Sequence, residues 1–128
     1  MTSLKVISSE KLKFAAAPYS LGIQHNGVIY LSGQVPINHT DNSVVKGSIS
    51  VTSRKVLDNI VMILEEHGYS IKDIIKVGIY LTTMDDFAEL NKVYSEFFSE
   101  HKPARTCIAV AGLPLGVNVE MEVLIAAK

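Results

Sequence analysis

Four side chains near the C-terminal end could do chemistry together: Arg105 and Cys107, then Glu120 and Glu122. A guanidinium presents a planar fork that holds a carboxylate through two hydrogen bonds. A carboxylate nearby could orient or deprotonate a water. Such a set describes a site for a small carboxylic acid without naming a reaction. The alternative is a solvated outer face, where a cross-strand ion pair is worth only about 0.2–1 kcal/mol. Cys107 reads as a small packing residue, since nothing near it in sequence activates the thiol as a histidine does.

Both pairs lie on stretches that alternate with period two, which predicts strands over 105–110 and 117–126, joined through Leu113-Pro114-Leu115-Gly116. In the second strand Val117, Val119, Met121, Val123 and Ile125 share a face, opposite Asn118, Glu120, Glu122 and Leu124. In the first, Thr106, Ile108 and Val110 oppose Arg105, Cys107 and Ala109. If the two strands pair with their apolar sets together, register puts Arg105 and Cys107 on the face of Glu120 and Glu122. An intervening strand would lengthen the distances but keep the shared face.

The remaining elements follow from local patterns. Residues 4–7 suggest a short strand, and 11–20 an irregular stretch in which Pro18 stiffens the loop presenting Tyr19. By itself that tyrosine reads as a cap on the core with its hydroxyl at the rim. Residues 22–25 and 28–32 flank Asn26-Gly27, the signature of a hairpin with a type I′ turn. Gly33, at the strand end, allows a close approach by another backbone or a ligand. Residues 35–47 read as a polar loop. A helix is expected over 48–66, burying Ile49, Val56, Leu57, Ile60, Ile63 and Leu64 and stopped at Gly68. A strand over 74–82 turns Ile75, Val77, Ile79 and Leu81 to one side. A second helix starts at Thr83-Met84-Asp85-Asp86, buries Phe87, Leu90, Tyr94, Phe97 and Phe98, and leaves Asn91 on a solvated flank.

These elements make one α+β domain over 1–128: a mostly antiparallel sheet with two helices on one face. The other face keeps apolar residues, including Tyr80 and Leu124, which predicts a closed homo-oligomer. The 128 residues are 48% apolar and 20% charged, ordinary values for a folded soluble domain. Net charge is −1 with no basic cluster, which argues against dedicated nucleic-acid binding. One cysteine excludes an internal disulfide, and no stretch is long and apolar enough to span a membrane. The four histidines lack metal-site spacing, so no metal is expected. Residues 1–5 lead into no apolar run, so a cytoplasmic location is expected, with a mitochondrial one left open.

Pro18-Tyr19-Ser20, Ser32-Gly33-Gln34-Val35-Pro36, Leu57-Asp58-Asn59, Pro103-Ala104-Arg105-Thr106-Cys107 and Val119-Glu120-Met121-Glu122 occur in this order along the chain. Together they resemble the RidA family, also called YjgF or endoribonuclease L-PSP. The resemblance implies a homotrimer of chorismate-mutase-like subunits with clefts between neighbours. It implies cofactor-free hydrolysis of enamines and imines, such as 2-aminoacrylate, 2-iminopropanoate and 2-iminobutanoate, to 2-oxo acids and ammonia. On this basis Arg105 clamps the substrate carboxylate and Glu120 positions the attacking water. Tyr19 lines the cleft from the adjoining subunit. The Gly33 and Cys107 backbones contact the ligand, and Ser32 and Asn91 support it. Glu122, on the same face as Glu120, ranks second for handling water.

Three positions depart from the family's pattern: Ala17 for glycine, Leu21 for glutamine and Gly112 for arginine. The first two are expected to reshape the cleft wall, and the third to weaken the field that draws acids in. Two other functions stay open, a ribonuclease that blocks translation and a non-catalytic small-acid sensor or chaperone-like trimer. Desolvation should make Glu120 hold its proton more tightly, while a neighbouring Arg105 would oppose that; the sequence does not decide between them.

Overall fold

The computed structural model of the protein describes residues 3–12 and 17–128, so the irregular stretch expected over 11–20 lies partly outside the described residues. Strand β1 (Lys5–Ile7) pairs antiparallel with β2 (Gly22–His25), which turns into β3 (Val28–Leu31). Asn26 and Gly27 sit at φ 50° and 80°, the positive values of the predicted I′ turn. The polar loop that follows holds a small hairpin of its own, β4 (Ile37–Asn38) and β5 (Ser43–Val44). Asn59, fully buried, ties that loop to the next helix by donating from Nδ2 to the Ile37 carbonyl at 2.9 Å.

Helix α1 (Ile49–Glu66) forms where its apolar spacing places it. Val56, Leu57, Ile60, Ile63 and Leu64 are at most 1% exposed, each worth about 1.5–3 kcal/mol over an exposed position. Its end closes with Gly68 at φ 80°, the Tyr69 amide donating to the Leu64 carbonyl and the Gly68 amide to that of Glu65. Strand β6 (Ile74–Leu81), helix α2 (Phe87–Phe97), β7 (Ala104–Ala109) and β8 (Val119–Ala126) complete the chain. A 3-10 turn over Met84–Asp86 precedes α2, with the Thr83 hydroxyl accepting from the Asp85 amide. Leu90 and Phe98 are fully buried by α2 and its end, whereas Phe87, Tyr94 and Phe97 are half-buried.

The six-stranded sheet runs β1-β2-β3-β8-β6-β7, antiparallel except for β6 beside β7, and both helices cover one face. A parallel pair needs a crossover, and α2 supplies it. Strand β6 departs from simple alternation at its start. A bulge between Ile74 and Lys76 puts Ile74 in the core and leaves Ile75 43% exposed, so Ile75 does not belong to the inward set predicted for it.

The larger correction concerns β7. Strand β6 separates it from β8, and Arg105 and Cys107 stand beside Val77 and Ile79, which face the helices. Glu120 and Glu122 stand beside Tyr80 and Gly78, on the opposite face. The expected shared face is therefore wrong. Alternation alone assigns Thr106 and Ile108 to the core. On this edge strand they turn to the open face instead, with Ile108 46% exposed. That open face carries a groove of about 380 Å³ lined by Tyr30, Lys76, Tyr80, Thr106, Glu122 and Leu124, among others. Among the described residues no helix is long and apolar enough to cross a membrane.

Candidate functional site

The predicted residues fall into two groups, one on each face of the sheet. On the helix side Arg105 reaches from the edge strand to α2. Phe87, Asn91 and Tyr94 are spaced four and three residues apart, so they line one stripe of that helix. Arg105 Nη1 donates to Asn91 Oδ1 at 2.6 Å. Its Cζ lies 4.8 Å from the centre of the Tyr94 ring and 5.7 Å from that of Phe87. Asn91 is therefore engaged, not merely solvated.

Five N–H donors make up a guanidinium, and this contact uses one of them. Among the described residues no carboxylate forms an ion pair with Arg105; the ion pair present there joins Arg54 to Asp58 at 3.5 Å. Cys107 sits on the same side, half-buried, with its thiol pushed up by burial and pulled partly back by Arg105. A protonated thiol packed beside the core fits the reading of Cys107 as a packing residue.

On the open side Glu120 stands at a break in the ladder. Tyr30 pairs with Leu124, yet Gln34 bridges to Met121, so four steps along one strand run against three along the other. The Gln34 amide donates to the Met121 carbonyl at 2.7 Å, and the Met121 amide returns the bond at 3.0 Å. The extra residue lies in the segment that holds Ser32 and Gly33, and bulges of this kind re-aim side chains. A Cβ on Gly33 would come within 2.2 Å of Glu120 Oε2, so the close approach this glycine permits is that of the Glu120 carboxylate. Ser32 Oγ donates to the Ser20 carbonyl at 2.7 Å and its amide to the Leu21 carbonyl at 2.8 Å. These bonds staple the Pro18-Tyr19-Ser20 turn to the same corner. Tyr19 is 57% exposed there, presented outward rather than capping the core.

The Glu120 carboxyl is pushed above the ordinary carboxylate range, first by burial and then by the charge of Glu122. Arg105 of the same chain does not oppose this, being on the far face, two strand spacings or about 10 Å away across the sheet. Glu122 accepts a hydrogen bond from the Tyr80 hydroxyl, which raises the tyrosine's own pKa. Gly78 leaves room for that pair, since a Cβ there would stand 3.1 Å from Glu122 Cγ. Among the described residues no three His, Cys, Asp or Glu side chains gather to hold a metal ion. Leu21 is 3% exposed and belongs to the core, directly beneath the corner where its carbonyl accepts from the Ser32 amide.

Sequence reasoning missed Tyr94 and Phe87 as partners of Arg105, reading both as core. Their four-and-three spacing with Asn91 was visible, but it carries this meaning only once the edge strand is known to lie alongside.

The sequence profile described as Endoribonuclease L-PSP matches residues 10–127. The chain belongs to that family. Relatives carrying the RutC and Rid names place the RidA resemblance within it. Protein HMF1 of Saccharomyces cerevisiae is 44% identical over all of this chain and 98% of that protein. The crystal structure of yeast Mmf1 superposes with a TM-score of 0.91 at 44% identity, covering 98% of this chain and 100% of that one. A structure of E. coli TdcF with bound serine superposes at 0.87 and 32% identity, covering 97% of this chain and 99% of that one. For this endoribonuclease L-PSP family member the fold is thus the family's own.

Proposed function

We propose that this protein hydrolyses small 2-imino acids and their enamine tautomers, such as 2-aminoacrylate, 2-iminopropanoate and 2-iminobutanoate, to 2-oxo acids and ammonia. The observation that carries the reading is Arg105, braced by Asn91, Tyr94 and Phe87 and paired with no carboxylate among the described residues. A fork held in place with donors to spare suits a carboxylate that arrives with a ligand. The TdcF structure named for bound serine is consistent, since serine carries a carboxylate beside an amino-bearing carbon.

The reaction site lies where two copies meet in a closed homotrimer. Arg105, Asn91 and the Cys107 backbone come from one copy; Tyr19, Ser32, Gly33 and Glu120 come from its neighbour. The separation of Arg105 and Glu120 on opposite faces supports this division. So does the open face, with Tyr30 48% and Ile108 46% exposed.

Arg105 fixes the substrate carboxylate, which makes the addition of water effectively intramolecular. Ionised Glu120 takes a proton as water oxygen bonds to the C=N carbon and returns it to the imine nitrogen, giving a neutral carbinolamine. Glu120 next takes the carbinolamine hydroxyl proton and hands it to the amino nitrogen as the C–N bond breaks. Ammonia leaves, the oxo group forms, and Glu120 is ionised again. The chemistry uses water alone as co-reactant.

The test couples a serine or threonine dehydratase to the protein and follows oxo-acid release above the spontaneous rate. Arg105→Ala should nearly abolish the enhancement and Glu120→Gln should cut it severely. Equal rates for all three proteins would remove the catalytic assignment, and oxo-acid binding without enhancement would leave a sensor. The family description favours a second reading, an endoribonuclease. Steeply salt-dependent RNA cleavage that disappears in Arg105→Ala would establish it instead.

A further inference from the structure

We infer that Tyr94 is a positioning residue, its ring supporting the Arg105 guanidinium so that the free N–H edge stays turned toward an incoming carboxylate. The inference rests on the reading of Arg105 as the carboxylate receptor and adds a residue to it. Asn91 engages one terminal nitrogen at 2.6 Å, and one hydrogen bond leaves a long side chain free to swing about it. The Tyr94 ring, 4.8 Å from Cζ, closes one side of that swing, and its electron-rich face attracts the cation.

The ring is itself held. Phe98 packs against it with centroids 4.8 Å apart and planes tilted by 44°. The Tyr94 hydroxyl takes no part: it is buried without a hydrogen-bond partner among the described residues. Burial pushes the phenol up, against a smaller downward pull from the Arg105 charge, so what meets the cation is a neutral ring. Phe87, at 5.7 Å, is a second and weaker support. A support for the cation acts on charged ligands and leaves neutral ones alone. That separates it from a residue that merely keeps α2 in place.

The experiment titrates 2-oxobutanoate and its neutral amide into the full chain in its native assembly, for wild type, Tyr94→Phe, Tyr94→Leu and Arg105→Ala. Tyr94→Phe keeps the ring and should bind both ligands within about twofold of wild type. Tyr94→Leu should weaken the acid about tenfold while leaving the amide nearly unchanged. Equal loss for acid and amide, wild-type affinity in Tyr94→Leu, or the full loss in Tyr94→Phe would each overturn the inference. If Arg105→Ala binds the acid as tightly as wild type, the underlying reading of Arg105 fails, whatever Tyr94→Leu does. Should Tyr94→Leu not fold, Phe87→Leu carries the same acid-against-amide comparison with an expected loss of about threefold. An unchanged acid preference there overturns the inference.

Discussion

Replacing Gly33 by alanine should disable Glu120 while the fold stands. The new Cβ would lie 2.2 Å from Oε2, 2.9 Å from Cδ and 3.2 Å from Cγ of Glu120. Ordinary contact begins at 3.4 Å, so the oxygen must retreat from 2.2 to 3.4 Å, about 1.2 Å. Gly33 is not among the positive-φ residues, so alanine accepts its backbone without strain. The atoms struck first are the far end of a flexible, half-buried side chain on an open face. Retreat therefore costs an off-rotamer adjustment of about 0.5–1.5 kcal/mol, and the melting temperature should fall by only a few degrees. A displacement near 1 Å at a reacting group costs about a hundredfold in rate. The assay is oxo-acid release above background, run beside thermal melting. Gly112→Ala, whose Cβ would meet nothing within 4 Å, serves as the neutral control. Full activity in a well-folded Gly33→Ala protein would refute the reasoning, because Glu120 could then work from anywhere. Loss of activity explained wholly by unfolding would refute it too.

Mixing equal amounts of purified Arg105→Ala and Glu120→Gln proteins through a denaturation and refolding cycle should restore about a quarter of wild-type activity, as random pairing in a ring gives about one site in four an intact Arg105 and an intact Glu120; no recovery would place both residues in one copy. The enhancement should decline as pH falls through the Glu120 pKa, starting above the ordinary carboxylate range because burial and Glu122 both favour the protonated form. Glu122→Gln removes one of those pushes and should move the acid limb of the pH profile to lower pH, whereas an unmoved limb would show that Glu122 has no part in it. Ile74→Ala should cost about 2–5 kcal/mol by denaturant titration, and Ile75→Ala less than about 1, since the bulge buries the first and exposes the second; the opposite order would mean the strand alternates without interruption.

Much of the architecture was legible because local chemistry dictates it. Asn26-Gly27 can do little but make its turn, and the stripe from Ile49 to Leu64 has one way to be buried. The site was legible by residue type and family resemblance but not by arrangement. Alternation divides 104–109 into two sets and cannot say which set meets the helices. That depends on the parallel neighbour β6 and on α2 lying over Arg105, both set by tertiary packing. Ile74 escaped for a related reason, since one extra residue in a strand inverts the alternation on one side of it, here swapping Ile74 and Ile75 while Val77, Ile79 and Leu81 keep their face. The strands of the 35–47 loop are two residues each, too short to show any period.

The sheet between Arg105 and Glu120 has a further consequence. No hinge or side-chain swing within one chain can join them without tearing strands apart. If catalysis needs both, specific activity tracks the assembled fraction, fading on dilution and absent from a newly made solitary chain. A cell could then govern this chemistry through how much of the polypeptide it makes, with no dedicated regulatory site.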